Sequence, residues 1–289
     1  MMTSALTTPI VTAVCRPVII NVDDLGLSDA VNEAVIALAR VGRVHSSSYM
    51  SGGRISSEHL AALKRLNLQI GLHLDFTGIY SSPIKNSLSG LMASSYLRKL
   101  DPAIVTDIIE RQLDDFEDTF AHPPVFVDGH QHVHQFPIIR ECLANVLSQR
   151  YYNPQTHRVA VAARVTTPLV NDVKSWIIYG LGGQAWHRLC AQQSISTNAK
   201  FGGVYDFKAT ESRLASLWAH WFSHCSPTSL DLPNPPAPAL IMCHPAKPNN
   251  SWQDEIKAAR EIEYHWLISD GFQALCDEHN IEIVGWHHL

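Results

Sequence analysis

The stretch Pro17-Val-Ile-Ile-Asn-Val-Asp-Asp-Leu-Gly26 decides the fold, because it reads as a strand, a polar strand end and a turn. Pro17–Val22 is a short apolar run of strand length. Gly26 then permits a sharp reversal. Ser28 or Asp29 caps a helix over Asp29–Val41, with Val31, Val35 and Leu38 on one face. A buried strand feeding an amphipathic helix is the repeating unit of a parallel α/β fold.

The unit recurs along the chain. Val44–Met50 is a strand, and Ser56–Leu66 is a helix with Leu60, Leu63 and Leu66 on one side. Leu68–Leu74 is a strand with leucine and isoleucine at alternate positions. The polar stretch Thr77–Leu100, rich in Ser and Gly, reads as a lid or binding loop. Asp101 caps the next helix, with Pro102 at its first position and Ile104, Ile108, Ile109, Leu113, Phe116 and Phe120 as its stripe. Val125–Asp128, Arg158–Val165, Ala239–Cys243 and Ile281–Trp286 are strands; Pro137–Gln149, Thr210–Phe222 and Gln253–Ser269 are helices. Thr166–Gly203 shows no clear period, and Pro233–Pro238 reads as a stiff connector. Seven or eight strands in such units predict an irregular, TIM-like (β/α) barrel, mostly parallel, with outer helices. Residues 1–15 are expected to be a flexible lead-in, and 16–289 a single barrel domain.

Composition bounds the function. A chain of 289 residues buries about three quarters of its surface and needs no disulfides to hold a core. With 46% hydrophobic and 17% charged residues it is not disordered, collagen-like or a coiled coil. Its 22 basic residues against 27 acidic ones leave no excess for a phosphate backbone, which argues against nucleic acid. No apolar run approaches the roughly 18 residues of a membrane span. Met1–Val14 lacks the leading positive charge of a secretory signal. The six cysteines stand singly, with no C-x-x-C pair, which fits a reducing cytoplasm.

Four polar segments stand at predicted strand ends: Asn21-Val-Asp-Asp-Leu-Gly26, Gly71-Leu-His-Leu-Asp75, Asp128-Gly-His-Gln-His-Val-His134 and Met242-Cys-His-Pro245. Strand C-termini build the active site in parallel α/β folds. Asp23 and Asp24 would face opposite ways on a regular strand, so both serve one site only if the strand ends there. Asp75 shares a face with His73 and is either its partner or a turn residue. Asp128, His130, His132 and His134 share one parity; if a turn begins at Gly129, only one or two of the histidines reach the site. One Asp with two His makes a mixed oxygen–nitrogen site for a divalent metal, and leaves positions open for water and substrate. Asp23 or Asp24 can then supply a general base, and His244 an acid. Trp176, Trp186, Trp218 and Trp221 either stack on a ligand ring or fill the core.

These motifs resemble those of the YdjC/ChbG family of carbohydrate deacetylases. The family's N-A-D-D-F-G is Asn21 to Gly26 here, with Val22 and Leu25 as replacements. Its G-x-H-x-x-x-T is Gly71 to Thr77, its D-x-H-x-H-V-H-x-F-P is Asp128 to Pro137, and its M-C-H-P is Met242 to Pro245. The resemblance runs from about Pro17 to the C-terminus. It implies a metal-dependent hydrolase that removes acetyl from an N-acetylated sugar or short chitooligosaccharide. It implies one divalent ion, Mg²⁺ or Zn²⁺ foremost, held by Asp24, His73 and His130. Asp23 would be the base, His244 the acid, and Arg164 the group that orients the base. Asp128, Asp75, His132 and His134 would support the ligands or touch substrate. Members are often dimeric, so a homodimer is also implied. Rival readings are another metal-dependent amidohydrolase or phosphoesterase, a non-haem iron oxygenase, or a non-catalytic sugar- or metal-binding protein.

Overall fold

The computed structural model describes residues 14–229, 232 and 235–288. Most of the expected lead-in, residues 1–13, lies outside them, as do Pro233 and Asn234 of the expected connector. In chain order the elements begin with β1 (Arg16–Leu25), α1 (Asp29–Arg40), β2 (Ser46–Tyr49), α2 (Ser57–Arg65), β3 (Gln69–Leu74), α3 (Leu88–Tyr96) and α4 (Pro102–Phe120). Next come β4 (Phe126–Gly129), a 3-10 turn at His130–Gln135, α5 (Ile139–Tyr151), β5 (Tyr152–Asn153) and β6 (Arg158–Ala163). Then follow α6 (Val173–Ile178), α7 (Gln184–Gln192), β7 (Ile195–Thr197), β8 (Phe201–Gly202) and α8 (Glu211–His224). The chain ends in β9 (Ala239–Cys243), α9 (Lys257–Ile268), α10 (Asp270–Glu278) and β10 (Ile281–Ile283).

The ten strands form one sheet in the order β5-β6-β4-β3-β2-β1-β9-β8, with β10 added to β1 and β7 to β6. Every pairing is parallel except β5 with β6. The expected α/β plan, a mostly parallel sheet with outer helices, is the one observed. Among the described residues the strand ladder does not close into a ring. Just past β6, an isolated bridge pairs Pro168 with Phe201 of β8. Leu169 N donates to Phe201 O at 2.9 Å, and Phe201 N to Thr167 O at 2.7 Å.

Caps act where the sequence places them. Ser28, Ser56, Asp101 and Thr210 each accept a backbone N–H at the start of α1, α2, α4 and α8. Three regions depart from expectation. Thr77–Leu100 contains α3, whose Ser- and Gly-rich sequence carries no apolar stripe but is capped by Ser87. Thr166–Gly203 holds α6, α7, β7 and β8, pieces too short to show a period. Ser269 starts a separate helix, α10, because its side chain caps Phe272 N.

Strand alternation sorts the core into two layers. Val18, Ile20 and Val22 pack against the helices in the large outer core. Ile19 faces the other way, into an inner cluster with Phe126, Ala162, Phe201, Leu240, Met242, Val284 and Trp286. Phe126 stacks on Trp286 at 4.2 Å between ring centroids. A Cβ on Gly71 would lie 2.5 Å from the Phe126 ring, so only glycine fits beneath His73. Two residues farther along each strand the same face turns polar. Asp128 follows Phe126, Arg164 follows Ala162, and His244 follows Met242. Asn21 and then Asp23 follow Ile19. The barrel-like interior therefore has an apolar floor and a charged layer at the strand C-termini. Among the described residues, no helix is long and apolar enough to cross a membrane.

Candidate metal and catalytic site

β1 solves its own parity problem. The β1–β2 register shifts between Val22 and Leu25, and Asp24 sits at φ 68°. A non-glycine residue in the left-handed region is uncommon and here re-aims a side chain. Both carboxylates thus enter the same cavity, and both are buried. Gly26 completes the turn at φ 93°.

Asp24 divides its two oxygens. Oδ1 lies 3.0 Å from His130 Nδ1 and 3.3 Å from His73 Nε2. Oδ2 accepts from Arg260 Nη2 at 2.7 Å. His73 donates its other nitrogen, Nδ1, to Asp128 Oδ1 at 2.6 Å, which leaves Nε2 aimed at Asp24. Ligand atoms of Asp24, His73 and His130 all lie within 4.8 Å of one another, so the three can hold a metal ion. Asp23, His73 and Asp128 form a second such group. There the Arg164 guanidinium, paired with both carboxylates, already supplies the cation.

Arg164 is fully buried and grips Asp23 with two parallel bonds, Nη1 to Oδ2 at 2.7 Å and Nη2 to Oδ1 at 2.5 Å. Asn21 adds a third donor to Asp23 Oδ1 at 2.8 Å. His244 Nε2 stands 3.9 Å from Asp23 Oδ2, its ring edge-on to Phe207. Burial opposes charge on Asp23, but Arg164 outweighs it and holds the carboxyl below its ordinary range. Burial likewise opposes charge on Asp24, and Arg260 with His130 hold it well below. Burial also works against a charged His73. Asp128, Asp24 and Asp23 together overcome it and push the imidazole up to about 10. The same carboxylates that favour a proton on His73 Nε2 would favour a metal ion in its place, and binding the ion would release that proton.

The histidine run divides at Gly129. A 3-10 turn follows it, with Gln131 and His132 in the left-handed region, so the shared parity is lost. His130 and His132 line the cavity. His134 turns away; its Nε2 donates to the Arg164 carbonyl at 3.2 Å, and its ring meets Trp186. Burial and Arg164 push His132 down to about 3, while burial and His132 hold His134 well below its ordinary value. Both rings stay neutral.

Asp75 is not the carboxylate that His73 meets. Its oxygens accept from the backbone N–H groups of Thr77, Gly78 and Tyr80 at 2.9, 2.6 and 2.8 Å. It organises the loop after β3, a turn role. Trp186, Trp218 and Trp221 are buried in the core, and Trp176 is half exposed on α6.

Two buried charges on α9 escaped the sequence reading. Arg260 pairs with Asp24 and with Asp254. Glu263 accepts from Tyr205 Oη at 2.6 Å and from His244 N at 2.5 Å. The signal was present: Ala259, Arg260, Glu263, Trp266 and Leu267 are the buried stripe of that helix. A charge on the apolar stripe of a helix needs a buried partner. Above these groups opens a cavity of about 850 Å³, walled on its apolar side by Met50, Ile177, Tyr205, Phe207 and Met242.

These features define an α/β protein with a carboxylate–histidine centre at the C-terminal ends of parallel strands. The chain belongs to the YdjC-like protein family, whose model matches residues 17–278. Over 145 residues it is 34% identical to a chitooligosaccharide deacetylase of Enterobacter sp. (strain 638), covering 46% of this chain and 56% of that one. Over 149 residues it is 29% identical to a carbohydrate deacetylase of Danio rerio, covering 45% of this chain and 46% of that one. The chain thus spans about half the length of the curated relatives it matches. A crystal structure of a candidate cellobiose-phosphate cleavage protein from Enterococcus faecalis V583 is similar at TM-score 0.67 and 18% identity, covering 94% of this chain and 98% of that one. An uncharacterised protein from Agrobacterium tumefaciens C58 is similar at TM-score 0.50 and 12% identity, covering 94% and 87%. At these identities the structural likeness concerns the fold.

Proposed function

We propose that this chain is a metal-dependent carbohydrate deacetylase, removing acetyl from an N-acetylated sugar or short chitooligosaccharide. One observation carries the reading. Asp24, His73 and His130 gather three ligand atoms within 4.8 Å, and Asp23 and His244 line the same cavity. The donor set fits a divalent ion of the Zn²⁺ or Mg²⁺ kind, because it mixes one carboxylate with two imidazoles. The names of the relatives agree with the reading. Residues 16–289 would act as one catalytic domain, and the buried single cysteines suit a cytoplasmic protein.

When bound by Asp24, His73 and His130, such an ion lowers the pKa of a water and polarises the acetyl carbonyl. Asp23 takes the proton from the attacking water. Arg164 keeps both Asp23 oxygens in place through the step. His244 protonates the sugar nitrogen as the amide C–N bond breaks, so the amine and acetate separate. Glu263 fixes His244 by its backbone N–H, and Phe207 supports the ring.

His244→Ala is expected to lower kcat by about 10²–10⁴-fold while substrate still binds. Steady-state kinetics on N-acetylglucosamine oligomers measures this. A kcat equal to that of the unsubstituted chain would remove His244 from the mechanism.

A further inference from the structure

We propose that Arg260 positions Asp24 for metal binding, through a contact on α9 that no sequence motif carries. The proposal rests on the reading of Asp24, His73 and His130 as the ligands. Arg260 is 2% exposed and lines the cavity wall beside Asp254. Its Nη2 takes Asp24 Oδ2 at 2.7 Å, and its Nε donates to Asp254 Oδ2 at 2.5 Å. Asp24 Oδ1 is left facing the two histidines. The guanidinium therefore decides which oxygen of Asp24 the site can use. Asp254 in turn holds the guanidinium, so the fork is anchored at both ends. An ammonium group lacks this planar fork and cannot bridge both carboxylates in the same way.

Asp24 needs such an anchor. It sits on the bulge of β1 with a left-handed backbone, where no regular ladder fixes its direction. One helical turn along α9, Glu263 holds different parts of the site, His244 N and Tyr205 Oη. Arg260 Nη1 also reaches the His244 carbonyl at 3.5 Å, so both charges touch the His244 backbone, but only Arg260 touches Asp24. Zn²⁺ affinity therefore reads the Asp24 contact, which Glu263 does not share.

The full chain, stripped with EDTA and titrated with Zn²⁺ by calorimetry, separates these roles. Asp24→Asn and His73→Ala are compared first, and both should lose Zn²⁺ binding. Arg260→Gln should weaken Zn²⁺ by about 10–100-fold, the usual cost of losing a group that orients a ligand. Arg260→Lys should also weaken it. The kcat of Arg260→Gln should recover when Zn²⁺ is raised to saturation. Glu263→Gln should keep Zn²⁺ affinity within about twofold yet lower kcat, which a general loosening of α9 would not produce. Wild-type affinity in Arg260→Gln, or equal Zn²⁺ loss in Arg260→Gln and Glu263→Gln, overturns the proposal. If Arg260→Gln does not fold, Asp254→Asn removes the second anchor without touching Asp24. Unchanged affinity there overturns the proposal as well. Unaltered Zn²⁺ binding in Asp24→Asn and His73→Ala would instead sink the ligand reading, and this proposal with it.

Discussion

Asp23→Asn is expected to cut turnover by about 10³–10⁴-fold while leaving metal affinity unchanged. Asparagine keeps the size of the side chain and one oxygen for Arg164, so the site should hold its shape. It lacks the charge that accepts a proton. Asp23 stands outside the Asp24–His73–His130 group, which is why metal should stay bound. Metal content by atomic absorption, measured beside acetate release, checks both halves at once. Loss of metal in Asp23→Asn with retention in Asp24→Asn would exchange the two roles.

Arg164→Met is expected to destabilise the fold by about 3–5 kcal/mol, because breaking a buried ion pair leaves its partners as uncompensated charges. Asp23 and Asp128 both depend on this one guanidinium, and neither is solvent-exposed. At a few degrees per kcal/mol for a chain of this size, the thermal midpoint should drop by about 10 °C. Activity should fall as well, since Asp23 loses its two-point grip. Denaturant unfolding monitored by circular dichroism measures the stability. A loss under about 1 kcal/mol would mean that Asp23 and Asp128 find water or protons instead.

Much of this site was legible because strands obey a two-residue period. Asp23, Asp128, Arg164 and His244 continue the inward face that Ile19, Phe126, Ala162 and Leu240 begin. Marking apolar runs and then the polar residue on the same parity leads to Asp23, Asp128 and His244, whereas Arg164 entered only through the family resemblance. Other features depend on geometry that period alone does not give. The bulge at Asp24 puts adjacent residues on one side, contrary to the parity rule. The left-handed pair Gln131 and His132 decides which histidines face the cavity. Asp128 rather than Asp75 meets His73 because β3 and β4 pair His73 with Asp128 in register, a contact between strands distant in sequence. Arg260 and Glu263 look like a solvated helix face until their spacing is set against Trp266 and Leu267. Helix α3 was hidden because its serines and glycine break any apolar stripe, and only its Ser87 cap marks the start.

The central claim is that this cavity releases acetate from an N-acetylated sugar and needs a divalent ion to do so. The direct measurement is acetate release from N-acetylglucosamine and its short β-1,4 oligomers, with Zn²⁺ or Mg²⁺ added, and again with EDTA. The account predicts acetate that appears with metal, stops with EDTA and returns when metal is restored. Acetate release that continues undiminished in EDTA after exhaustive metal removal, or none from any N-acetylated sugar in metal-loaded protein, would contradict it.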